Sequence, residues 1–289
     1  MISIAHLGPA GTYAEQAALR YVSWLKKNTK TECSLSPYPS IFQTLYSVAK
    51  GQADLAVVPV ENSIQGGVTV TLDTLWQLDN LQIQLALVVP ITHALISCSQ
   101  NLDSIKTVYS HPQALAQCQK WLEKSLPKVQ LVPTNSTTEA LQKLKSDKAA
   151  AAISSLRAAQ LYDLPVLENG INDYPENCTR FWVVSQPDNS PNHQMLTNTA
   201  IITSLAFSVP ANLPGVLVKP LQVFADRNIN LSKIESRPTK RSLGEYLFFM
   251  DLEADVDSTK MQSALAELSN YTEILKIFGS YNILPTESL

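Results

Sequence analysis

Strand-like and helix-like segments alternate through the first two-thirds of this 289-residue chain, and that alternation commits it to an α/β layout with a mostly parallel sheet. Ile2–Leu7 reads as a strand, followed by the turn Gly8-Pro9-Ala10-Gly11. Thr12 and Glu15 then form a capping box that opens a helix with Ala17, Ala18, Tyr21, Val22 and Leu25 at helical spacing. Ser40 and Gln43 open a second helix, stopped by Gly51. Further strands are expected at Leu55–Val58, Ile83–Val89, Ala94–Cys98, Val108–Ser110, Val129–Val132, Ala149–Ile153 and Val166-Leu167. Helices fall between them, over Gln113–Leu126, from the Ser136/Glu139 cap onward, and from Ser154 through Tyr162.

The pattern breaks at Gln186–Asn198, a Pro/Asn/Ser-rich stretch without apolar periodicity. This divides the chain into a first domain at 1–186, a linker at 187–198 and a second domain at 199–281. The second domain runs strand (Thr199–Val209), helix (Gly215–Asp226), strand (Ile229–Ser236), strand (Tyr246–Glu253), helix (Ser258–Ser269), strand (Ile274–Tyr281), which is the ferredoxin-like βαββαβ order. One such unit leaves a sheet face and an edge strand to cover, and a second copy of the chain is the expected cover.

Composition excludes several classes of function. A net charge of -3 with no basic patch argues against nucleic acid. No apolar run is long enough to span a bilayer, and residue 2 already begins a strand without a leader, so the chain is read as cytoplasmic. Cys33, Cys98, Cys118 and Cys178 form no Cys-x-x-Cys pair, and the four histidines lack ligand spacing, so no metal is expected.

The polar clusters of the first domain share one position. Asn177-Cys178-Thr179-Arg180-Phe181 runs straight into the apolar strand Trp182-Val183-Val184. Strand alternation points Asn177, Thr179 and Phe181 one way and Arg180 the other. Glu61, Asn62 and Ser63 emerge at a strand's carboxyl end, where open α/β sheets bind ligands. Gly8–Thr12 joins a strand to a helix whose first amides suit a small carboxylate, since the Walker lysine and the full dinucleotide glycine pattern are missing. His111-Pro112-Gln113 again follows a strand and opens a helix. Singly, each reads equally well as a tight turn, a polar loop or a solvent-facing imidazole. Together they point to one cleft, with Glu235-Ser236-Arg237-Pro238 apart in the second domain.

With these motifs assembled, the chain resembles the monofunctional prephenate dehydratases that carry a C-terminal ACT domain, over roughly residues 3–281. The resemblance rests on Gly8–Tyr13, Pro59–Ser63 with Gly66 and Thr71-Leu72-Asp73, His111–Leu115 and Asn177-x-Thr179-Arg180-Phe181. In the second domain it rests on Asn212–Leu217, Ile234–Pro238 and Leu243–Tyr246. Tyr13-Ala14 and Val216 depart from the usual residues without removing a charge.

The resemblance implies a two-lobed catalytic domain like the type 2 periplasmic binding proteins. The chain would cross between lobes near 87–89 and return near 173–179. It implies conversion of prephenate to phenylpyruvate, carbon dioxide and water without a cofactor, with arogenate as the rival substrate. A non-catalytic small-molecule sensor is the rival from another class. Thr179 is implied at the departing hydroxyl, with Glu61 or His111 as its proton partner. Arg180 is assigned to the pyruvyl carboxylate, because a clamp on the leaving carboxylate would hold the ground state. Asn177, Phe181, Asn62, Ser63, Gln113, Gly11 and Thr12 complete the expected substrate site. Asn212, Leu213, Gly215, Val216, Leu217, Glu235 and Ser236 are expected to hold a phenylalanine effector in a homodimer or homotetramer.

Overall fold

A computed structural model of the chain describes residues 1–144, 147–189 and 201–284. Side-chain caps fix the helix starts: Thr12, Ser40, Ser136 and Ser258 each accept the backbone N–H three residues on. The first lobe runs β1 (Ile2–Leu7), α1 (Tyr13–Thr29), β2 (Cys33–Tyr38), α2 (Ile41–Ala49), β3 (Leu55–Asn62), β4 (Gly66–Gly67), α3 (Thr69–Gln77) and β5 (Gln82–Pro90). The second lobe contains β6 (His93–Ile96), β7 (Thr107–Ser110), α4 (Pro112–Ala116), α5 (Gln119–Ser125), β8 (Gln130–Pro133), α6 (Thr137–Lys143), β9 (Ala150–Ser155), α7 (Leu156–Leu161) and β10 (Val166–Asn169). The chain returns to the first lobe as β11 (Cys178–Ser185). The C-terminal unit is β12 (Ile201–Ser208), α8 (Val218–Ala225), β13 (Leu231–Pro238), β14 (Tyr246–Leu252), α9 (Thr259–Leu268) and β15 (Ile274–Leu284).

These strands make two sheets. The five-stranded sheet of the second lobe has the order β10-β6-β9-β7-β8. The larger sheet runs β13-β14-β12-β15-β5-β11-β3-β1-β2, with β4 paired to β3, and so joins the C-terminal unit to the first lobe. The joint is β15, whose last residues Asn282–Leu284 pair in parallel with Leu85–Leu87. The large sheet is more mixed than the sequence pattern implied. β1 is parallel to β2 and β3, but β11 returns from the other lobe antiparallel to both β3 and β5. The crossovers lie between Pro90 and His93 and between Asn169 and Cys178, the first slightly later than expected.

Burial follows from covering both sheet faces. Leu55–Val58 is buried at every position because α1-side residues (Tyr21, Leu25) pack on one face and α2/α3-side residues (Leu45, Leu72) on the other. The ferredoxin-like unit turns one face of its sheet to α8 and α9, where Phe224, Leu265 and Leu268 pack. Its other face is covered by the first lobe rather than by another copy: Phe249 and Phe278 join the cluster of Leu72 and Trp182. Of the expected cover from a partner, only the edge strand β13 is left.

Two helices differ from expectation. The single helix expected over Gln113–Leu126 is split, because Cys118 is not helical (φ -122°, ψ 17°) and Gln117 turns inward. α3 has no side-chain N-cap, which hid it from the sequence pattern. Of the linker, only 187–189 are among the described residues, and Thr199 and Ala200 also lie outside them.

Candidate active site

The two lobes enclose a cleft of about 870 Å³. Thr12, Asn62, His111, Gln113, Thr179 and Phe181 all line it, so six of the expected residues are brought together from β1–α1, β3, α4 and β11. The pleat explains the central pair. Thr179 on β11 sits directly opposite Asn62 on β3, so both side chains leave the same sheet face. A register shift follows immediately, between Arg180 and Phe181, and sets Phe181 opposite Pro59, which also lines the cleft. β11 is paired on both sides, by β3 and β5, which holds Thr179 on a rigid element.

Thr179 is 8 % exposed. Its Oγ1 accepts from Asn62 Nδ2 at 3.0 Å, and its own hydroxyl proton has no acceptor among the described residues. Asn62 is itself fixed: Nδ2 also reaches Asn177 Oδ1 (2.8 Å) and Cys178 O (3.1 Å), and Oδ1 accepts from the amides of Ile64 and Gln65. Asn177 is buried behind this pair and donates through Nδ2 to Gln117 Oε1 at 3.2 Å. The chain of contacts continues from Gln117 Oε1 to His93 Nε2 (2.9 Å) and from His93 Nδ1 to Tyr13 OH (3.0 Å). Burial holds His93 below the usual histidine range despite the Gln117 bond, so the ring is neutral. Nε2–H then donates to Gln117, while the Tyr13 hydroxyl donates to the Thr92 carbonyl at 2.8 Å and lies beside Nδ1; burial pushes that phenol up. Gln117 Nε2 is buried without a hydrogen-bond partner among the described residues, at the cleft wall.

His111 has a defined tautomer. Its Nδ1 accepts from the Gln113 amide at 3.2 Å as the N-cap of α4, which leaves the proton of the neutral ring on Nε2. Burial lowers its pKa, which favours that neutral form. No lysine or arginine lines the cleft among the described residues; the charged residue there is Glu139, whose carboxylate accepts from Asn135 N at 3.0 Å.

Five expectations are corrected, the first being Asn177, which is buried behind Asn62 and Gln117 and does not line the cleft. Arg180 does not reach the cleft: alternation sends it to the opposite sheet face, where Nη2 meets Glu61 Oε2 at 2.8 Å and Asp251 Oδ2 at 2.6 Å. Glu61, opposite Arg180 in the same register, is likewise turned away from Thr179. Ser63 works behind the cleft, accepting from Cys178 N (3.0 Å) and donating to Asn177 Oδ1 (3.3 Å). Gly11 is not an open anion cradle, since its N–H donates to Glu15 Oε2 at 2.8 Å. Instead it is where the lobes touch: its carbonyl accepts from Ser155 Oγ (2.9 Å), and at φ +89° an added Cβ would fall 3.0 Å from Thr138 and 3.1 Å from Ala158.

In the C-terminal unit the expected effector residues divide. Asn212 and Val216 line a pocket of about 200 Å³ with Gly244, Glu245 and Tyr246. Gly215 makes the turn at φ +78°, Leu217 packs toward the unit's core, and Leu213 is exposed. Glu235 and Ser236 sit outside that pocket on β13, Ser236 exposed and Glu235 facing the first lobe beside Gly67. Residues absent from the sequence reading are Gln117, His93 and the cleft contact of Tyr13. Gln117 had a signal, lying four residues beyond Gln113 on the same helix face.

A hydroxyl held at the floor of an inter-lobe cleft, with a ferredoxin-like unit fused to the same sheet, defines a two-lobed α/β enzyme bearing a regulatory-type module. Comparison with known proteins agrees: residues 4–189 match the prephenate dehydratase family model and residues 203–270 match the ACT domain model. The chain is 40% identical over 280 residues to the bifunctional chorismate mutase/prephenate dehydratase of Aquifex aeolicus, covering 97% of this chain and 73% of that protein. It is 36% identical over 285 residues to the prephenate dehydratase of Lactococcus lactis subsp. cremoris, with 98% of both chains covered. The crystal structure of prephenate dehydratase from Arthrobacter aurescens in complex with L-Phe superposes with a TM-score of 0.85 at 34% identity, over 100% of this chain and 92% of that one. The chain belongs to the prephenate dehydratase family.

Proposed function

We propose that this chain dehydrates and decarboxylates prephenate to phenylpyruvate in the inter-lobe cleft, with the Thr179 hydroxyl directed at the departing hydroxyl of the ring. The observation that carries this is the Thr179 hydroxyl itself: one lone pair is held by Asn62 while its proton has no protein acceptor among the described residues. Such a group is a donor waiting for an oxygen. The ring carboxylate leaves as carbon dioxide, its electron pair completes the aromatic ring, and the hydroxyl departs as water after taking one proton. A threonine hydroxyl is too weak an acid to be the net proton source, so it donates a hydrogen bond or relays. His111, with its Nε2 proton fixed by the helix cap, replaces Glu61 as the favoured partner.

A cleft wall without lysine or arginine among the described residues suits decarboxylation, since a cation clamped on the leaving carboxylate would stabilise the reactant more than the transition state. The pyruvyl arm is then held by neutral donors, with Thr12, Gln113 and Thr137 at hand and Phe181 walling the ring. The reaction needs no cofactor. L-Phenylalanine is the proposed effector, bound by the Asn212–Leu217 loop at an interface between C-terminal units of a homodimer or homotetramer. Support comes from the unpaired edge β13 with Ile234 exposed, and from exposed Leu213 and Leu243 nearby in sequence to the pocket. No helix among the described residues is long and apolar enough to cross a membrane, and a cytoplasmic location is proposed.

Incubating the purified chain with prephenate and, separately, arogenate tests the assignment. Phenylpyruvate with stoichiometric carbon dioxide from prephenate is the expected result. Preferential turnover of arogenate moves the assignment to the amino-acid substrate, and ligand binding without carbon dioxide release favours the sensor.

A further inference from the structure

Strand β13 carries the Ile234–Pro238 motif, and its two faces do different things. Ser232, Ile234 and Ser236 alternate on an exposed face, while Lys233, Glu235 and Arg237 alternate on a half-buried one. Every charged residue of the second face meets a single stretch of the first lobe, Glu61 to Asp73. Arg237 takes Asp73 with two prongs, Nε to Oδ1 at 3.2 Å and Nη2 to Oδ2 at 3.1 Å, and Lys240 adds a contact at 2.7 Å. The Glu235 carboxylate lies so close to Gly67 that a Cβ there would collide with Oε2. Lys233 Nζ stands 3.6 Å from Glu61 and 3.6 Å from Glu235, buried and hydrogen-bonded to neither.

The stretch gripped in this way contains the cleft's central donor. Asn62, between Glu61 and the gripped Gly67, orients Thr179. Glu61 shares Arg180 with Asp251 of β14, so the near end of the stretch is tied to the C-terminal sheet twice. Lys233 stands between two carboxylates, Glu61 of the first lobe and Glu235 of its own strand, and so bridges the boundary between the two units. Beside the Asp73 contact a crevice of about 300 Å³ leaves room for β13 to shift against α3.

We propose that the charged face of β13 is the coupling element of this enzyme: displacement of β13 by a second chain, seated on its exposed face when the effector binds at the interface, is passed through Lys233, Glu235 and Arg237 to residues 61–73, and so to the Asn62–Thr179 bond. The proposal rests on the functional reading above and adds the route by which effector and substrate sites communicate. Asp73 and Arg237 are positioning residues in it, outside both the cleft and the Asn212 pocket.

The test is a double-mutant cycle in the full chain with Asp73→Asn, Arg237→Gln and the pair. Prephenate turnover is measured with and without L-phenylalanine, and L-phenylalanine binding is measured separately by calorimetry. Each single variant keeps basal turnover and phenylalanine affinity within about threefold, but saturating phenylalanine inhibits at least about tenfold less than in the wild type; the double variant is no worse than Asp73→Asn, because that change already removes the Arg237 contact together with that of Lys240. Asp73→Glu, which keeps the carboxylate, recovers most of the inhibition. Unchanged inhibition in both singles overturns the route, as does a parallel loss of phenylalanine binding, which makes the contact part of the effector site. A wild-type chain that turns over prephenate but ignores phenylalanine overturns the effector reading, and the coupling falls with it. A wild-type chain that leaves prephenate untouched refutes the catalytic assignment instead.

Discussion

Replacing Asn62 with leucine removes one amide of nearly the same size and disconnects Thr179 from its support. The magnitude follows from the bonds lost. Thr179 Oγ1 loses its donor, Asn177 Oδ1 keeps only the longer contact to Ser63 Oγ at 3.3 Å, and Cys178 O stays paired with Ser63 N at 2.9 Å. The amides of Ile64 and Gln65 are on exposed residues and turn to water. One orphaned and one weakened acceptor, both buried, cost about 2–4 kcal/mol, taking roughly 1–3 kcal/mol for an unsatisfied buried group. At roughly 2–4 °C per kcal/mol for a domain of this size, melting falls by about 5–15 °C. Turnover falls further than stability explains, since the Thr179 proton is no longer aimed: about 10–100-fold in kcat, the equivalent of one oriented hydrogen bond, with KM within about threefold. Differential scanning calorimetry and steady-state kinetics on folded protein measure the two effects independently. A variant that melts lower by this amount yet keeps kcat within twofold refutes the claim that Asn62 orients Thr179, and leaves it a structural clip.

Two further outcomes follow from burial. Arg180→Met strands Asp251, whose side chain is 5% exposed, and destabilises the chain by about 3–5 kcal/mol, the usual cost of breaking a buried pair. Adding Asp251→Leu recovers at least half of that loss in urea unfolding, and retained prephenate affinity in the double variant confirms that the guanidinium sits outside the cleft; a more than tenfold rise in KM returns it to the substrate. His6, His93 and His111 are all held below 6.5 by burial, so the folded chain keeps them neutral while the unfolded chain binds protons near that value. Stability is therefore full above about pH 6.5 and declines as pH falls through the histidine range, and His93→Gln flattens the decline; a stability constant from pH 7.5 to 5.5 contradicts the placement of these rings.

What the sequence disclosed and what it withheld have physical causes. Local chemistry was legible: Thr12, Ser40, Ser136 and Ser258 cap helices because the donor they satisfy is three residues away. Alternation along β11 correctly parted Arg180 from Thr179 and Phe181, yet the role given to Arg180 required the opposite. Its true partner, Asp251, lies 71 residues on, and nothing local announces an ion pair across two domains. Gly11 read as part of a small-carboxylate site because its lobe-to-lobe contact with Ala158 is equally remote. The extension of β15 to Leu284 was hidden for the same reason, since those last residues pair with β5 of the first lobe. Motifs placed the cleft; long-range pairing decided which members of each motif face it.

The central claim is that a hydroxyl at position 179, and not merely a side chain of that shape, lowers the barrier to loss of water and carbon dioxide. Thr179→Val preserves volume and branching, while Thr179→Ser preserves the hydroxyl, so phenylpyruvate formation by the two variants at saturating prephenate separates chemistry from packing. The account predicts a loss of about 10²–10⁴-fold for valine, the range for proton-transfer assistance, with serine keeping at least about a tenth of wild-type kcat. Equal losses in the two, or a valine variant as fast as the parent, would contradict it.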